Sequence, residues 1–422
     1  MNRILIAGLV SLGLAACKKD SEDVNLLKTG QWRGVIEIQG HDLPVNFEVT
    51  RDEKGGYDAY LRNADERLLL DEVNVKGDSV DIGLHIFDAN IRARISGDSL
   101  EGVFVKNYEK DYRLPFRAGY GQDFRFFEND STEAAVDFTG KYEVTFLHPS
   151  DSDASKTDTT IAVGLFHQKG PHATGTFMTT TGDYRFLDGD VNDSIMYLSA
   201  FDGNHAYLFR AAMQHDGSLR GEFLSGKTWR ESWVATKKEQ AELPDAESLT
   251  YMKKGYDRIT FSFPDADGRQ VSLGDEKYKG KVVILQLLGT WCPNCMDETR
   301  FLAPWYDKNR DRGIEVIGLA YERKADFGYA SERVKTMVEK MGVSYDILIA
   351  GTSEKGSASK SLPMLNAVMA FPTTIYIGKD GKVKKIHTGF TGPGTGEYFE
   401  RFITDFNETV NGLLKEDLTA RR

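Results

Sequence analysis

Residues 281–302 read KVVILQLLGTWCPNCMDETRFL, and the fold of the C-terminal third turns on them. Lys281 to Leu288, within the apolar run KVVILQLLG, reads as a central strand covered on both faces. Gly289 to Trp291 make a short turn, and helix-compatible sequence begins at or just after Cys292. Strand, turn and helix in that order put the first sulfur at a helix N-terminus. Unpaired N–H groups and the helix dipole there favour a thiolate, the nucleophile of disulfide exchange. Pro293 suits the first helical turn, where its missing N–H would have no partner. Cys295, one turn on, is placed to resolve a mixed disulfide and is the more shielded of the two.

Two cysteines at this spacing can also hold a metal or staple a turn. A metal would need two more ligands. Of the eight histidines only His387 lies in the C-terminal third; His41, His85, His148, His167, His172, His205 and His215 lie upstream. His167 and His172, five apart, read as loop histidines. A purely structural bridge would leave the flanking pattern unexplained. The expectation is a redox couple with no metal and no separate cofactor.

The third cysteine sits in MNRILIAGLVSLGLAACKKDSED, residues 1–23. Arg3 precedes an apolar stretch, Ile4 to Leu14, too short to span a membrane comfortably. Leu14-Ala15-Ala16-Cys17 resembles the lipobox of bacterial lipoproteins. That resemblance implies a signal peptide and lipid-attachment cysteine over 1–17, with the lipid on Cys17. A solvated tether over 18–28 and a lipid-anchored place on the periplasmic side of the cell envelope follow from it. Cys292 and Cys295 are then the only thiols of the mature chain, in a compartment that permits disulfides.

The 422 residues are 40% hydrophobic and 28% charged, a soluble globular balance. A net charge of −11 argues against nucleic acid as partner. No internal run of about 18 apolar residues suggests a transmembrane helix.

Residues 29–236 predict an all-β region. LPVNFEVT puts Leu43, Val45, Phe47 and Val49 on one face, and KYEVTF does the same with Tyr142, Val144 and Phe146. A weak repeat runs through it. Thr29-Gly30 matches Thr139-Gly140, and Leu70-Asp71 matches Leu187-Asp188. Asp78-Ser79 matches Asp193-Ser194, Phe87-Asp88-Ala89-Asn90 matches Phe201-Asp202-Gly203-Asn204, and Ser99-Leu100-Glu101-Gly102 matches Ser218-Leu219-Arg220-Gly221. We expect two related β-units, 29–120 and 138–236, as two sandwiches or barrels or as halves of one larger barrel. The paired Phe-Asp-x-Asn stretches read as turns. The unit could lift the redox domain from the membrane, bind a client, or hold a hydrophobic ligand.

Residues 237–256 predict a linker or short helix, and 257–415 an alternating α/β domain. SERVKTMVEKMG has helical spacing and ends on Gly342. PTTIYIGKDGKVKKIHTG predicts a hairpin across Lys379-Asp380-Gly381, and EYFERFITDFNETVNGLL a final amphipathic helix.

KGKVVILQLLGTWCPNCMDE, with the preceding FSFPDADGRQVSL and the later VMAFPTTIYIGKDGKV, resembles the TlpA/ResA-like branch of thioredoxin-fold disulfide reductases over roughly residues 258–414. The resemblance implies a multidomain chain, all-β followed by a thioredoxin-like fold. It implies that Cys292 attacks and Cys295 resolves, and that Pro372 is a cis-proline beside them. Phe371 would offer its backbone to substrate, with Trp291 and Thr373 also at the substrate site. Glu298 matches the branch's acidic residue, whose raised pKa would let it move protons. The chain departs from the pattern at Gln286, which cannot act as a general base, at Leu287-Leu288-Gly289, at Ala370 and at Arg300. With no charge between the cysteines, the reading favours a reductase of exported protein disulfides, apocytochrome c thiols in cytochrome c maturation among them. A membrane donor of the CcdA/DsbD type would recharge it. The competing expectation is a binding lipoprotein whose β-units contact a ligand or partner, with the redox domain accessory.

Overall fold

Alternation makes the first strands, and closure makes them a barrel. In β1 (Gly30–Ile38), Trp32, Ile36 and Ile38 are fully buried. It pairs antiparallel with both β2 (His41–Arg51) and β8 (Arg113–Tyr120). Between them run β3 (Tyr57–Asn63), β4 (Glu66–Lys76), β5 (Ser79–Gly83), β6 (Ala89–Ser96) and β7 (Ser99–Lys106), each hydrogen-bonded to its sequence neighbours. The computed structural model describes residues 27–84, 86–128, 134–150 and 156–416. Cys17, the signal segment, most of the tether and His85 lie outside the described residues.

A second barrel repeats the first. Its strands are β9 (Gly140–Pro149), β10 (Thr157–Lys169), β11 (His172–Thr179), β12 (Gly182–Asp183), β13 (Leu187–Asn192), β14 (Ile195–Phe201), β15 (Ala206–Met213), β16 (Leu219–Ser225) and β17 (Trp229–Lys237). β9 closes it by pairing with β10 and β17, and β12 is a two-residue hairpin arm on β11. Each barrel closes on itself, so they are not halves of a larger one. Both interiors are filled. Trp32 stacks on Phe47 at 6.1 Å in the first, and Phe146, Phe177, Phe209, Phe223 and Trp233 interlock in the second. Eight-stranded barrels are narrow enough for side chains to do this.

The repeated Ser-Leu-x-Gly has a packing cause. A Cβ on Gly102 would lie 2.0 Å from the Arg92 carbonyl oxygen, and one on Gly221 would lie 2.1 Å from the Trp233 ring. The neighbouring strand or ring occupies the space a side chain would take. Gly221→Ala is expected to cost roughly 1–3 kcal/mol by overpacking, read as a lowered denaturant midpoint with unchanged slope.

Residues 238–256 form no helix. Pro244 interrupts the charged run, and the backbone bonds instead to the C-terminal domain. The Asn366 N–H donates to Tyr251 O at 2.9 Å, and the Thr388 N–H to Ala246 O at 3.1 Å. This segment is packed against the domain and is not a free linker.

The C-terminal domain opens with the hairpin β18 (Ser262–Pro264) and β19 (Gln270–Ser272). There follow β20 (Val282–Leu288), α1 (Pro293–Asn309), β21 (Ile314–Glu322), α2 (Phe327–Met341), β22 (Asp346–Thr352), α3 (Lys355–Ser361), β23 (Thr373–Ile377), β24 (Val383–Thr388) and α4 (Glu397–Lys415). The sheet order is β22-β21-β20-β23-β24, parallel among the first three and antiparallel thereafter. β20 is buried on both faces. Val282, Ile284 and Leu288 pack with α1 and α4, and Val283, Leu285 and Leu287 with the α3 side. α2 stops at Gly342, whose φ of 62° is the left-handed cap an L side chain resists. Pro304 lies within α1. Among the described residues no helix is long and apolar enough to cross a membrane.

The barrels are docked onto this domain. One buried apolar cluster runs from the first barrel through Phe201, Ala206 and Leu208 to the α1 face. Lys340 of α2 bridges Asp71 and Glu72 of β4, both at 2.7 Å. The two Phe-Asp-x-Asn turns both point this way: Tyr329 of α2 donates to Asp88 at 3.4 Å, and Asn204 reaches the loop before α1.

Candidate active site

β20 delivers Gly289-Thr290-Trp291 to the sheet's C-terminal edge, where ligands of open α/β sheets bind. Glu322, at the end of β21, holds that turn: it accepts the Thr290 N–H at 3.0 Å and hydroxyl at 2.8 Å. Cys292 is the N-cap of α1, with extended φ and ψ of −102° and 110°. Its Sγ accepts the Cys295 N–H at 3.3 Å and lies 3.5 Å from Phe371 O, to which the thiol donates. The Phe371–Pro372 bond is cis. Both cysteines are free thiols; Cys292 is 7% exposed and Cys295 fully buried. Burial, then the hydrogen bond and charge of Cys292, push the Cys295 thiol well above its ordinary pKa.

Behind Cys295 lies a buried polar knot. Period two puts Gln286 on the α1 face of β20. Its amide donates to Glu298 at 2.8 Å and to Cys295 O at 3.3 Å. The Thr374 hydroxyl donates to the other Glu298 oxygen. Glu298 is fully buried. Burial pushes its carboxyl up to about 7, against the downward pull of the Thr374 and Gln286 hydrogen bonds.

Trp291 packs edge-on against Phe371 at 6.0 Å and donates its indole N–H to Tyr321 O at 2.9 Å. Thr373 is fully buried, and its hydroxyl donates to Ala370 O at 2.8 Å, fixing the loop before Pro372.

Sequence reasoning missed the barrel side of the site. A cavity of about 280 Å³ at Cys292 is lined by Trp291, Asn294 and Phe371 from one domain and by Arg185, His205 and Tyr207 from the second barrel. Asn204 donates to Trp291 O at 2.8 Å, and Asn294 to Asp183 O at 3.1 Å. Arg185, buried with a φ of 60°, joins Asp297 of α1 to Glu66 of the first barrel and reaches Pro293 O at 3.4 Å. Burial opposes its charge, but the carboxylates of Asp297, Glu66, Asp202 and Asp183 outweigh that and raise its pKa. Asp202 is buried too, which works to raise it, yet His205 and Arg185 hold it at about 2. His205 donates its Nδ1–H to Asp202 at 3.0 Å and stacks on Tyr207 at 4.8 Å. The repeat of Phe-Asp-x-Asn was the one available signal, and only its turn geometry was legible.

Among the described residues no three potential metal ligands come together. What the site does hold is two thiols in hydrogen-bond contact, one at a helix N-terminus and one buried beside a protonatable carboxyl. That chemistry, on this sheet order, defines a thiol–disulfide oxidoreductase of the thioredoxin fold. The Redoxin family profile matches residues 240–399. The chain is 33% identical over 131 residues to thiol-disulfide oxidoreductase ResA of Geobacillus thermodenitrificans, covering 31% of this chain and 66% of that protein. It is 31% identical over 152 residues to ResA of Bacillus thuringiensis, covering 36% and 78%. A thioredoxin-family thiol:disulfide interchange protein from Chlorobium tepidum aligns with a TM-score of 0.30 and 21% identity, over 37% of this chain and 95% of that one. The chain belongs to the ResA-like family of thiol–disulfide oxidoreductases. The profile begins at residue 240, after β17, so both barrels lie outside it.

Proposed function

We propose that the protein is a lipid-anchored reductase of disulfides in exported proteins, held at the cell envelope through Cys17. The observation that carries the reading is the Cys292 sulfur. It accepts the Cys295 N–H at a helix N-terminus, which favours the attacking thiolate, and lies 3.5 Å from the carbonyl of Phe371, beside the cis-proline. The Cys292 thiolate attacks a substrate disulfide, forming a mixed disulfide and releasing one substrate thiol. Cys295 then attacks the Cys292 sulfur, releasing the second thiol and leaving a Cys292–Cys295 disulfide. Two electrons pass to the substrate.

Cys295 must lose a proton in the second step, and Glu298, ionising at about 7, is the group to take it. Gln286 touches both the Cys295 carbonyl and the Glu298 carboxyl. Trp291 and Phe371 border the entering disulfide. No dissociable cofactor is required, because the dithiol carries the electrons. A membrane dithiol donor of the CcdA/DsbD type re-reduces the pair, and apocytochrome c in cytochrome c maturation is a client of fitting chemistry.

The test is the reduction potential of the couple in the full chain. We expect a value near the thioredoxin end of the scale, roughly −270 mV. A value near roughly −120 mV marks an oxidant and overturns the direction.

A further inference from the structure

The second barrel does more than sit beside the redox domain. Its arm at Gly182–Asp183, with Arg185 and the 202–207 turn, walls one side of the cavity at Cys292. The fit is built in. A Cβ on Gly394 would lie 2.6 Å from Arg185 O, and one on Gly389 would lie 3.0 Å from Thr180 O. The loop after β24 therefore meets the barrel backbone at distances that leave no room for side chains. Polar bonds tie the same seam: the Gly392 N–H donates to Asp183 at 2.6 Å, Asn294 to Asp183 O, and Asn204 to Trp291 O. Arg185 locks it with a buried ion pair to α1 itself.

We propose that this wall determines specificity: the second barrel admits to Cys292 only a disulfide borne on a slender carrier and excludes one on the surface of a folded protein. Three observations carry it. The cavity is about 280 Å³, at or below the lower end for drug-sized ligand sites, roughly 300–1,000 Å³. Cys292 is 7% exposed, so a partner sulfur must enter the cavity to reach it. The wall bonds to Trp291, Pro293, Asn294 and Asp297, the residues around the attacking sulfur, so it cannot move without disturbing them. Arg185 and Asn204 are positioning residues here, and Thr181 and Tyr207 form the wall. The proposal rests on the thiol-exchange reading and narrows the disulfides it acts on.

The experiment uses the full-length reduced protein in single-turnover oxidation, which needs no donor. The oxidants are glutathione disulfide, an unfolded peptide containing one disulfide, and folded insulin. The two slender oxidants are expected to react at least tenfold faster than insulin. Asn204→Ala and Arg185→Met, which loosen the wall, should raise the insulin rate relative to glutathione disulfide by tenfold or more. Thr181→Trp, which narrows the cavity, should slow both slender oxidants by a similar factor; the one slowed more is the better-fitting source. Should Arg185→Met fail to fold, Asn204→Ala and Thr181→Trp decide the matter. Equal rates for insulin and glutathione disulfide in the unaltered protein, or ratios unmoved in the folded variants, overturn the wall. If no disulfide oxidises the protein, the thiol-exchange reading fails instead.

Discussion

Replacing Cys292 by serine is expected to lower disulfide exchange by ~10³-fold or more while leaving the fold intact. The hydroxyl keeps the shape of the thiol and can still cap α1, so the Cys295 N–H keeps an acceptor. What is lost is the acidic, polarisable nucleophile. Melting temperature should shift by no more than a few degrees. Cys295→Ala behaves differently. The first attack survives, the second cannot occur, and mixed disulfides through Cys292 accumulate. Non-reducing electrophoresis of the two variants after exposure to a disulfide substrate checks the asymmetry. Adducts on the Cys292→Ser variant, or their absence from Cys295→Ala, would reverse the assigned order.

The second large effect belongs to Glu298. Its carboxyl titrates at about 7 in the folded chain against an ordinary 4.5, chiefly because it is buried. The folded state therefore holds a proton that the unfolded state has released between these values. Stability is greatest below about 4.5, as far as this group is concerned, and falls as pH rises through about 7. At 1.36 kcal/mol per pKa unit, the charged form costs about 3 kcal/mol at alkaline pH. Glu298→Gln removes the titration. Denaturation followed from pH 5 to 9 should show a flatter stability profile for the variant, and a gain over the parent above pH 7. Activity should move the other way. Without a base for the buried Cys295 thiol, turnover falls ~10²-fold and the limb of the pH–rate profile near 7 disappears. A variant that keeps both the limb and the rate would remove Glu298 from the proton path.

Much of the C-terminal domain was legible from residue spacing. The continuous apolar run of β20 requires cover on both faces, and the proline after Cys292 suits a helix start. Glu298 and Gln286 were visible as residues. Their contact was not, because it depends on the α1 face of β20 meeting the first turns of α1. Thr373 was legible as the residue after Pro372; that its hydroxyl turns inward to Ala370 was not. In the barrels, alternation and the repeat exposed two β-units but not their closure. Closure depends on β1 meeting β8 and β9 meeting β17, pairings about 80 to 95 residues apart that leave no local mark.

The order of the sequence alone determined the chemistry: two thiols at the end of a buried strand, a carboxyl one turn further on, and a distant Phe-Pro-Thr. Local geometry explains the thiols and the carboxyl, since strand, turn and helix place them within a few residues of one another; Phe371-Pro372-Thr373 was legible only as a motif. Tertiary structure alone decided who may approach them. Arg185, Asn204 and Asp183 come from strands and turns about 90 to 110 residues upstream, and apart from the repeated Phe-Asp-x-Asn around Asn204 nothing in their own neighbourhoods marks them as part of an active site. They reach Cys292 because a filled, closed barrel is rigid enough to hold its turns against the seam, with buried charge and glycine contacts fixing the register.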